Sequence, residues 1–285
     1  NIVVVGSHGK TTTTSLIASI FQKTKLDPTI INGGVINSIK NTAKLGKSDW
    51  SILEADESDG SFIHIPPVYS IITNIDREHM DFYKSMNHLK NYFIQFIEKV
   101  PSFGKVFICI DDKTNNELIK FIKNKNIITY GTNIKSNFWI KNIKQNINYS
   151  EFDLQINIPN KKKMILKKIR IPLLGIHNVK NSAAAAAVSM TIGISFSDIK
   201  EGLKSFKGVQ RRFNKIFSYN GVDFFDDYAH HPTEIKVVLE GVNKVYEGYE
   251  KICVFQPHRI SRLKDLKNEF SFAFKDANTV ILCPI

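Results

Sequence analysis

Cysteine is scarce in this 285-residue chain: Cys109, Cys253 and Cys283 each sit inside an apolar strand-like run (VFICI, KICVF, VILCPI), with no paired spacing. That argues against a disulfide framework or a cysteine-based metal or redox motif and fits a reduced cytoplasm. Long apolar runs are lacking too. No stretch approaches the roughly 18 residues that span a bilayer, and no signal-peptide pattern opens the sequence. Internal repeats and low-complexity linkers are absent. Acidic residues are outnumbered, 27 against 39 lysines and arginines, for a net charge of +12. Such an excess invites a nucleic-acid reading. Much of it, however, lies in Asn- and Lys-rich stretches at 120–125 and 161–168 that read as solvated surface, and no aromatic-interleaved basic motif accompanies them. A positive field also suits a chain that handles polyanionic nucleotides. Neither nucleic acid nor membrane is expected as a partner.

What is present begins at the first residue. Apolar residues make up 42% of the chain, enough for one large or two medium domains. Asn1 to Thr14 reads NIVVVGSHGKTTTT. Ile2 to Val5 can fill one buried parallel strand, and Lys10 to Lys23 reads as a helix with Leu16, Ile17, Ile20 and Phe21 on one face. Gly6 and Gly9 bracket the turn. Without Cβ atoms there, backbone N–H groups from Gly6 through Ser7, His8 and Gly9 can close around phosphate oxygens, and the helix N-terminus adds positive potential. Lys10 would reach the outer phosphates of a nucleoside triphosphate and Thr11 a magnesium ion. The spelling departs from the usual phosphate loop, since only Ser7 and His8 separate the glycines and Val4 stands where an earlier glycine would be. The plainer alternative is an ordinary strand-to-helix turn; strand, Gly-Lys-Thr and helix in this order favour the phosphate loop.

Further strand-like runs at Trp50–Leu53, Tyr69–Ile72 and Lys105–Ile110, with a helical pattern over Asn87–Val100, predict a mostly parallel α/β sheet flanked by helices. From Phe138 to Ile171 the pattern becomes short and alternating, which predicts a small antiparallel side sheet. Helices follow at Asn181–Met190, with five consecutive alanines, and at Ser197–Ser205. After Gly208 the alternation restarts with Val222–Phe225, a helix from Thr233, the strand Lys251–Phe255, another helix and Thr279–Leu282. The expected division is therefore 1–208, an ATP-binding domain, and 209–285, a Rossmann-like α/β domain.

Ligands of an open α/β sheet gather at the carboxyl ends of its strands. Glu54-Ala-Asp-Glu-Ser-Asp59 follows one strand and Thr73-Asn-Ile-Asp-Arg-Glu-His79-Met-Asp81 another. Magnesium takes one or two protein carboxylates beside phosphate oxygens, so Glu54, the first polar residue after its strand, is the leading candidate. The same run can also be a solvated loop or a helix start. His79 alone reads as a hydrogen-bonding loop residue, histidine being an unusual magnesium ligand.

The segments GSHGKTTT, EADESDGSF, NIDREHMDFY, LLGIHNVKNSAAA, GVQRRF, DDYAHHPTE and FQPHR, in this order, closely resemble the Mur ligases of peptidoglycan synthesis. DDYAHHPTE and FQPHR point to the alanine-adding members, and Ser58 favours these over the murein-peptide-recycling relatives, where tyrosine is expected. The resemblance spans Val3 to Arg262. It implies ATP on Gly6 to Thr12, with Lys10 on the phosphates, and magnesium on Thr11, Glu54 and His79. It further implies adenine-side contacts from Asn178 and Asn181, a phosphate contact from Arg212, and Asp227 docking the second domain onto ATP. Tyr228, His230, His258, Arg259 and Arg262 would face the muramoyl carboxylate and the incoming amino acid, with His230 and Arg259 in catalytic roles. The implied reaction is ATP-driven amide formation between UDP-N-acetylmuramate and L-alanine through an acyl phosphate. Some relatives carry a carbamylated lysine after the histidine matching His79; here Tyr92-Phe-Ile-Gln-Phe96 has none, and Lys90 is nearest. The resemblance also implies a UDP-gripping domain ahead of Asn1 and more chain after Ile285. The competing class is another phosphate-loop ATPase, a nucleotide switch or a nucleic-acid-stimulated enzyme. The Asn-Lys-x-Asp base-recognition motif expected of a GTP switch has no match in a suitable place.

Overall fold

A computed structural model describes residues 1–123, 126–159 and 162–285; residues 124–125 and 161, which belong to the two lysine-rich stretches, and residue 160 lie outside the described residues. Ile2–Val5 is apolar at every position, as a strand covered on both faces requires, and it forms β1 in the interior of a ten-stranded sheet. The other strands of this sheet are β2 (Thr29–Ile36), β3 (Asn41–Lys44), β4 (Ser51–Glu54), β5 (Tyr69–Ile72), β6 (Lys105–Cys109), β7 (Ile127–Gly131), β8 (Phe138–Gln145), β9 (Ser150–Ile156) and β10 (Met164–Ile171). Their order is β10-β9-β8-β7-β6-β5-β1-β4-β2-β3. Pairing is parallel from β2 across to β8 and antiparallel at both ends.

Successive side chains of a strand point to opposite faces, and β1 divides the core accordingly. Ile2 and Val4 join the cluster under α1 (Lys10–Phe21), whereas Val3 and Val5 join a second cluster on the other face. That second face carries α2 (Met80–Tyr83), α3 (Met86–Glu98) and α4 (Lys113–Leu118). Leu16, Ile17, Ile20 and Phe21 of α1 are all fully buried, each contributing roughly 1.5–3 kcal/mol of apolar transfer. Beside α1 lie α5 (Ile176–Thr191) and α6 (Phe196–Lys204). Ala183 to Ala187 are buried, and their small side chains let α5 approach closely. Gly202 serves α6 in the same way, since a Cβ there would lie 2.5 Å from Ile20 Cα.

The antiparallel ribbon expected over 138–171 is present as β8, β9 and β10. It continues the main sheet, because β7 and β8 pair at Tyr130–Phe138 and Gly131–Trp139 and buried Phe138 and Ile140 join the α1-side core. Beyond Gly208 come the hairpin β11 (Asn214–Tyr219) and β12 (Val222–Asp226), then α7 (Pro232–Val245), β13 (Ile252–Phe255), α8 (Ile260–Asp265), α9 (Lys267–Ala273) and β14 (Thr279–Leu282). β13 and β14 pair in parallel, over a small core of Ile235, Phe255 and Ala273. The strand expected at Val222 pairs with β11 instead of joining them, because Asn220 and Gly221 both take positive φ, the conformation of a tight hairpin turn. Among the described residues no helix is long and apolar enough to cross a membrane.

Candidate functional site

The loop between β1 and α1 is pinned from β5. Gly6 has φ 131°, and a Cβ there would collide with Thr73 Oγ1 and lie 2.8 Å from the Asn74 carbonyl, so only glycine fits. Ser7 N donates to Asn74 O at 3.0 Å, and the Asn74 side chain accepts from His8 N and donates to His8 O, both at 2.9 Å. Asp76 N in turn donates to Ser7 Oγ at 2.9 Å. Lys10 folds back across this loop. Its Nζ donates to Gly6 O at 2.7 Å, to Ser7 O at 3.3 Å and to Glu57 Oε2 at 2.6 Å. Burial opposes the charge on Lys10, but Glu57 outweighs it, so the pKa is raised and the ammonium is a fixed charge.

Thr11 Oγ1 donates to Glu54 Oε1 at 2.9 Å and accepts from Arg212 Nη2 at 3.4 Å, while Gly33 N donates to Glu54 Oε2 at 2.6 Å. Both oxygens of Glu54 therefore have donors. Glu57 differs. It is 1% exposed, its Oε1 has no hydrogen-bond partner, and that oxygen lies 3.6 Å from His79 Nε2. Asp56, Glu57 and His79 are mutually close enough to share one cation, and an orphaned buried carboxylate oxygen facing an imidazole nitrogen suits one. His79, at φ 56° just before α2, reaches this point through a left-handed backbone turn. The Tyr83 hydroxyl donates to the Glu57 carbonyl; burial, then Glu57 itself, push the Tyr83 pKa up. Sequence reasoning passed over Glu57, though it stands three residues after Glu54 in the same acidic run. It also passed over Gly33 and Gly34, whose bare backbone brings β2 against Glu54 and Thr11. Lys90 donates to Glu117 at 3.0 Å, an ion pair between α3 and α4.

A cleft of about 1090 Å³ runs from the loop between the two halves of the chain, lined among others by Gly9, Asn178, Asn181, Arg212 and Asp227. α5 starts at Ile176, earlier than its alanine run suggested, so Asn178 lies in its first turn and Asn181 just beyond. Asn178 Nδ2 donates to Leu174 O at 2.8 Å and its Oδ1 accepts from Asn181 Nδ2 at 3.3 Å. Asn181 packs on Gly9, where a Cβ would lie 2.8 Å from its Oδ1. Both asparagines thus belong to the cleft wall, one braced on the other. Burial lowers the pKa of the neighbouring His177 to about 4, so its ring is neutral. Asp227 accepts from Phe213 N at 2.8 Å and Ala229 N at 2.7 Å, and burial raises its pKa.

The second half brings its motifs to the same strand ends. Arg259, at φ 64°, places Nη1 3.4 Å from His79 Nδ1. Arg262 is 8% exposed and donates through Nη2 to Glu78 Oε1 at 2.8 Å. His230 Nδ1 lies 2.9 Å from the Tyr228 carbonyl and its Nε2 3.7 Å from Glu78. Burial opposes the Glu78 charge, yet His230 and the surrounding imidazoles hold its pKa down to about 2. Tyr228 is exposed beneath the guanidinium groups of Arg211 and Arg212, at 4.8 and 5.7 Å. His258 is exposed and meets the group only through its carbonyl, which accepts from Arg262 Nη1 at 3.4 Å.

Comparison with known proteins finds two family models: "Mur ligase middle domain" over residues 4–189 and "Mur ligase, glutamate ligase domain" over 211–284. The UDP-N-acetylmuramate--L-alanine ligase of Pelagibacter ubique is 72% identical over all 285 residues, and that of Brucella ovis 43% over 286 aligned positions. The chain spans 61% of the length of each. The crystal structure of the UDP-N-acetylmuramate-alanine ligase of Thermotoga maritima superposes with a TM-score of 0.81 at 26% identity, covering the whole chain and 61% of that protein.

Proposed function

Because the chain belongs to the Mur ligase family, we propose that the protein carrying it joins L-alanine to the lactyl carboxylate of UDP-N-acetylmuramate, using ATP, in the cytoplasmic stage of peptidoglycan synthesis. The observation that carries this reading is one cluster. Lys10 and Thr11 of the phosphate loop are tied to Glu57 and Glu54, and Arg212 and Arg259 reach across from the second half to Thr11 and His79. The 72% identity to the Pelagibacter ligase supports the choice of substrates. We place the boundary between the two functional parts, 1–208 and 209–285, at Gly208. There Asn37 N donates to Gly208 O and Gln210 N to Val35 O, tying the joint to β2.

In this reading the loop amides of Gly6 to Thr12 hold the phosphates of ATP, and Asn178, Asn181 and Asp227 line the cleft that takes the nucleoside. Glu57 and His79, which with Asp56 are close enough to share one cation, would hold Mg²⁺, with Thr11 and Glu54 at the loop end of the same site, and Mg²⁺ when bound offsets charge on the phosphate oxygens. A lactyl carboxylate oxygen attacks the γ-phosphorus and ADP departs, giving an acyl phosphate. Lys10 stays against the charge that gathers on the transferring phosphoryl group. Arg259 forks onto carboxylate. His230, with Nδ1 against the Tyr228 carbonyl and Nε2 beside Glu78, would orient the attacking amine and take up its proton. The amine attacks the acyl carbonyl and phosphate leaves.

The test is phosphate release by the full gene product. Release that requires ATP, UDP-N-acetylmuramate and L-alanine together is expected; release driven by DNA or RNA without them would replace this reading with a nucleic-acid-stimulated ATPase.

A further inference from the structure

His8 contributes its backbone amide to the phosphate loop, and its side chain reaches both halves of the chain. It is 12% exposed, with Nε2 3.0 Å from Asp76 Oδ2 and Nδ1 3.3 Å from Glu234 Oε1. Asp76 follows β5 in the first half of the chain, and Glu234 stands in the first turn of α7 in the second. Around this ring the two halves meet again, as Thr233 Oγ1 donates to Asp76 Oδ2 at 2.6 Å. Glu234 also closes the capping box of α7 with His231, accepts from His230 N at 3.0 Å and lies 4.0 Å from Arg212 Nη1. A neutral imidazole has one donor and one acceptor nitrogen, so it cannot donate to both carboxylates; the imidazolium can.

We propose that His8 is a positioning residue whose imidazolium clasps Asp76 and Glu234, so that the geometry of the phosphate loop and the docking of α7 over it form one equilibrium. The inference rests on the nucleotide-binding reading of the loop. Nucleotide that orders the loop then favours the docked arrangement, and docking favours nucleotide by the same factor. The charge at His8 is shaped from every side. Burial would lower its pKa, but Asp76 and Glu234, with Glu78 adding negative potential, raise it to about 10. His231, its ring centroid 4.7 Å away, is kept neutral by its own burial and by the charge on His8. If α7 undocks, the Glu234 contact is lost and the His8 pKa falls. Docking therefore takes up a proton once the pH exceeds the undocked value.

Calorimetric titration of the 285-residue chain with Mg-ATP tests this, using His8→Gln, Glu234→Gln and the double variant; glutamine keeps the α7 capping box. Each single change is expected to weaken binding about tenfold, within the usual span of coupling between sites, and the double change no further. Independent, multiplying losses would overturn the clasp. Wild-type affinity should also fall between pH 7 and 9, by at most tenfold per unit for one proton, while His8→Gln stays flat; parallel profiles would count against the proposal. Should the variants fail to fold, the nitrogen chemical shifts of His8 in the wild-type chain with Mg-ADP decide. A doubly protonated ring at pH 8 agrees with the clasp and a neutral ring refutes it. If the wild-type chain does not bind nucleotide at all, the reading of the loop fails with it. Nucleotide binding with no coupling removes the clasp alone.

Discussion

Replacing Glu57 by glutamine separates two readings of the cation site. The change keeps volume and removes charge at a side chain that is 1% exposed and 2.6 Å from Lys10 Nζ. Stranding one member of a buried ion pair costs about 3–5 kcal/mol. Here the loss is smaller, because an amide oxygen and the carbonyls of Gly6 and Ser7 remain as acceptors for Lys10. About 1–3 kcal/mol is the expected loss, in the range for hydrogen bonds to charged groups. For a chain of this size that is a Tm lower by roughly 2–12 °C. The effect on metal is larger, since the orphaned Oε1 facing His79 is the oxygen a cation would use. We expect the Mg²⁺ concentration for half-maximal ATP binding to rise at least about tenfold, the lower edge of what even outer-shell changes at metal sites cause. Glu54→Gln is the control. Both oxygens of Glu54 already accept from Thr11 and Gly33, so its loss should move the Mg²⁺ midpoint less. Thermal denaturation with and without Mg-ATP, and Mg²⁺ titration by calorimetry, read both quantities. A normal midpoint in Glu57→Gln beside a large shift in Glu54→Gln would refute the reasoning and return the metal to Glu54.

Lys10→Ala should abolish phosphate release in a protein that still shows its folded circular dichroism spectrum but melts at a lower temperature, because buried Glu57 loses its donor; residual release above about 1% of wild type would contradict the role of Lys10 against the phosphoryl charge. Gly6→Ala combines φ 131° with a collision against Thr73 and Asn74, so a loss of about 2–4 kcal/mol and of nucleotide binding is expected in denaturant titration; a neutral effect would mean the loop relaxes freely. Stability should also depend on pH through His8. Its folded pKa of about 10 lies above the ordinary 6.5, so its contribution is complete below pH 6.5 and is lost as pH rises through 10. Asp76 and Glu234, where burial is outweighed by the His8 hydrogen bonds, have lowered pKa values, and their contribution is lost on the acid side, below the usual carboxylate range. The wild-type Tm should therefore drop between pH 7 and 10 by more than that of His8→Gln; equal drops would remove His8 as the cause.

Local chemistry made much of this legible. The all-apolar run at Ile2–Val5, the glycine-bracketed turn and the apolar stripe of α1 led directly to a strand, a loop and a helix with nearly the expected limits. The same holds for Tyr69–Ile72 and Thr279–Leu282. β2 escaped notice because its Gly33-Gly34 pair weakens the strand signal, although those glycines are what let it approach Glu54. The β11–β12 hairpin escaped although Asn220-Gly221 is a short-range turn signal. Within the site, residue types were readable and partners were not. Arg262 was expected to face substrate and is paired with Glu78, 184 residues away in sequence. Glu57 owes its importance to burial, and His8 to a carboxylate 226 residues distant. Such contacts are set by how the two halves of the chain pack, which no local spacing encodes.

In the proposed reaction, direct phosphorylation at the Lys10 loop activates the lactyl carboxylate. The most direct test of this step is oxygen transfer, with the full gene product, ATP, L-alanine and UDP-N-acetylmuramate labelled with ¹⁸O in the lactyl carboxyl. The acyl-phosphate route predicts one ¹⁸O in each phosphate released, and none released when L-alanine or the labelled substrate is withheld. Phosphate that carries only solvent or ATP oxygen would contradict it.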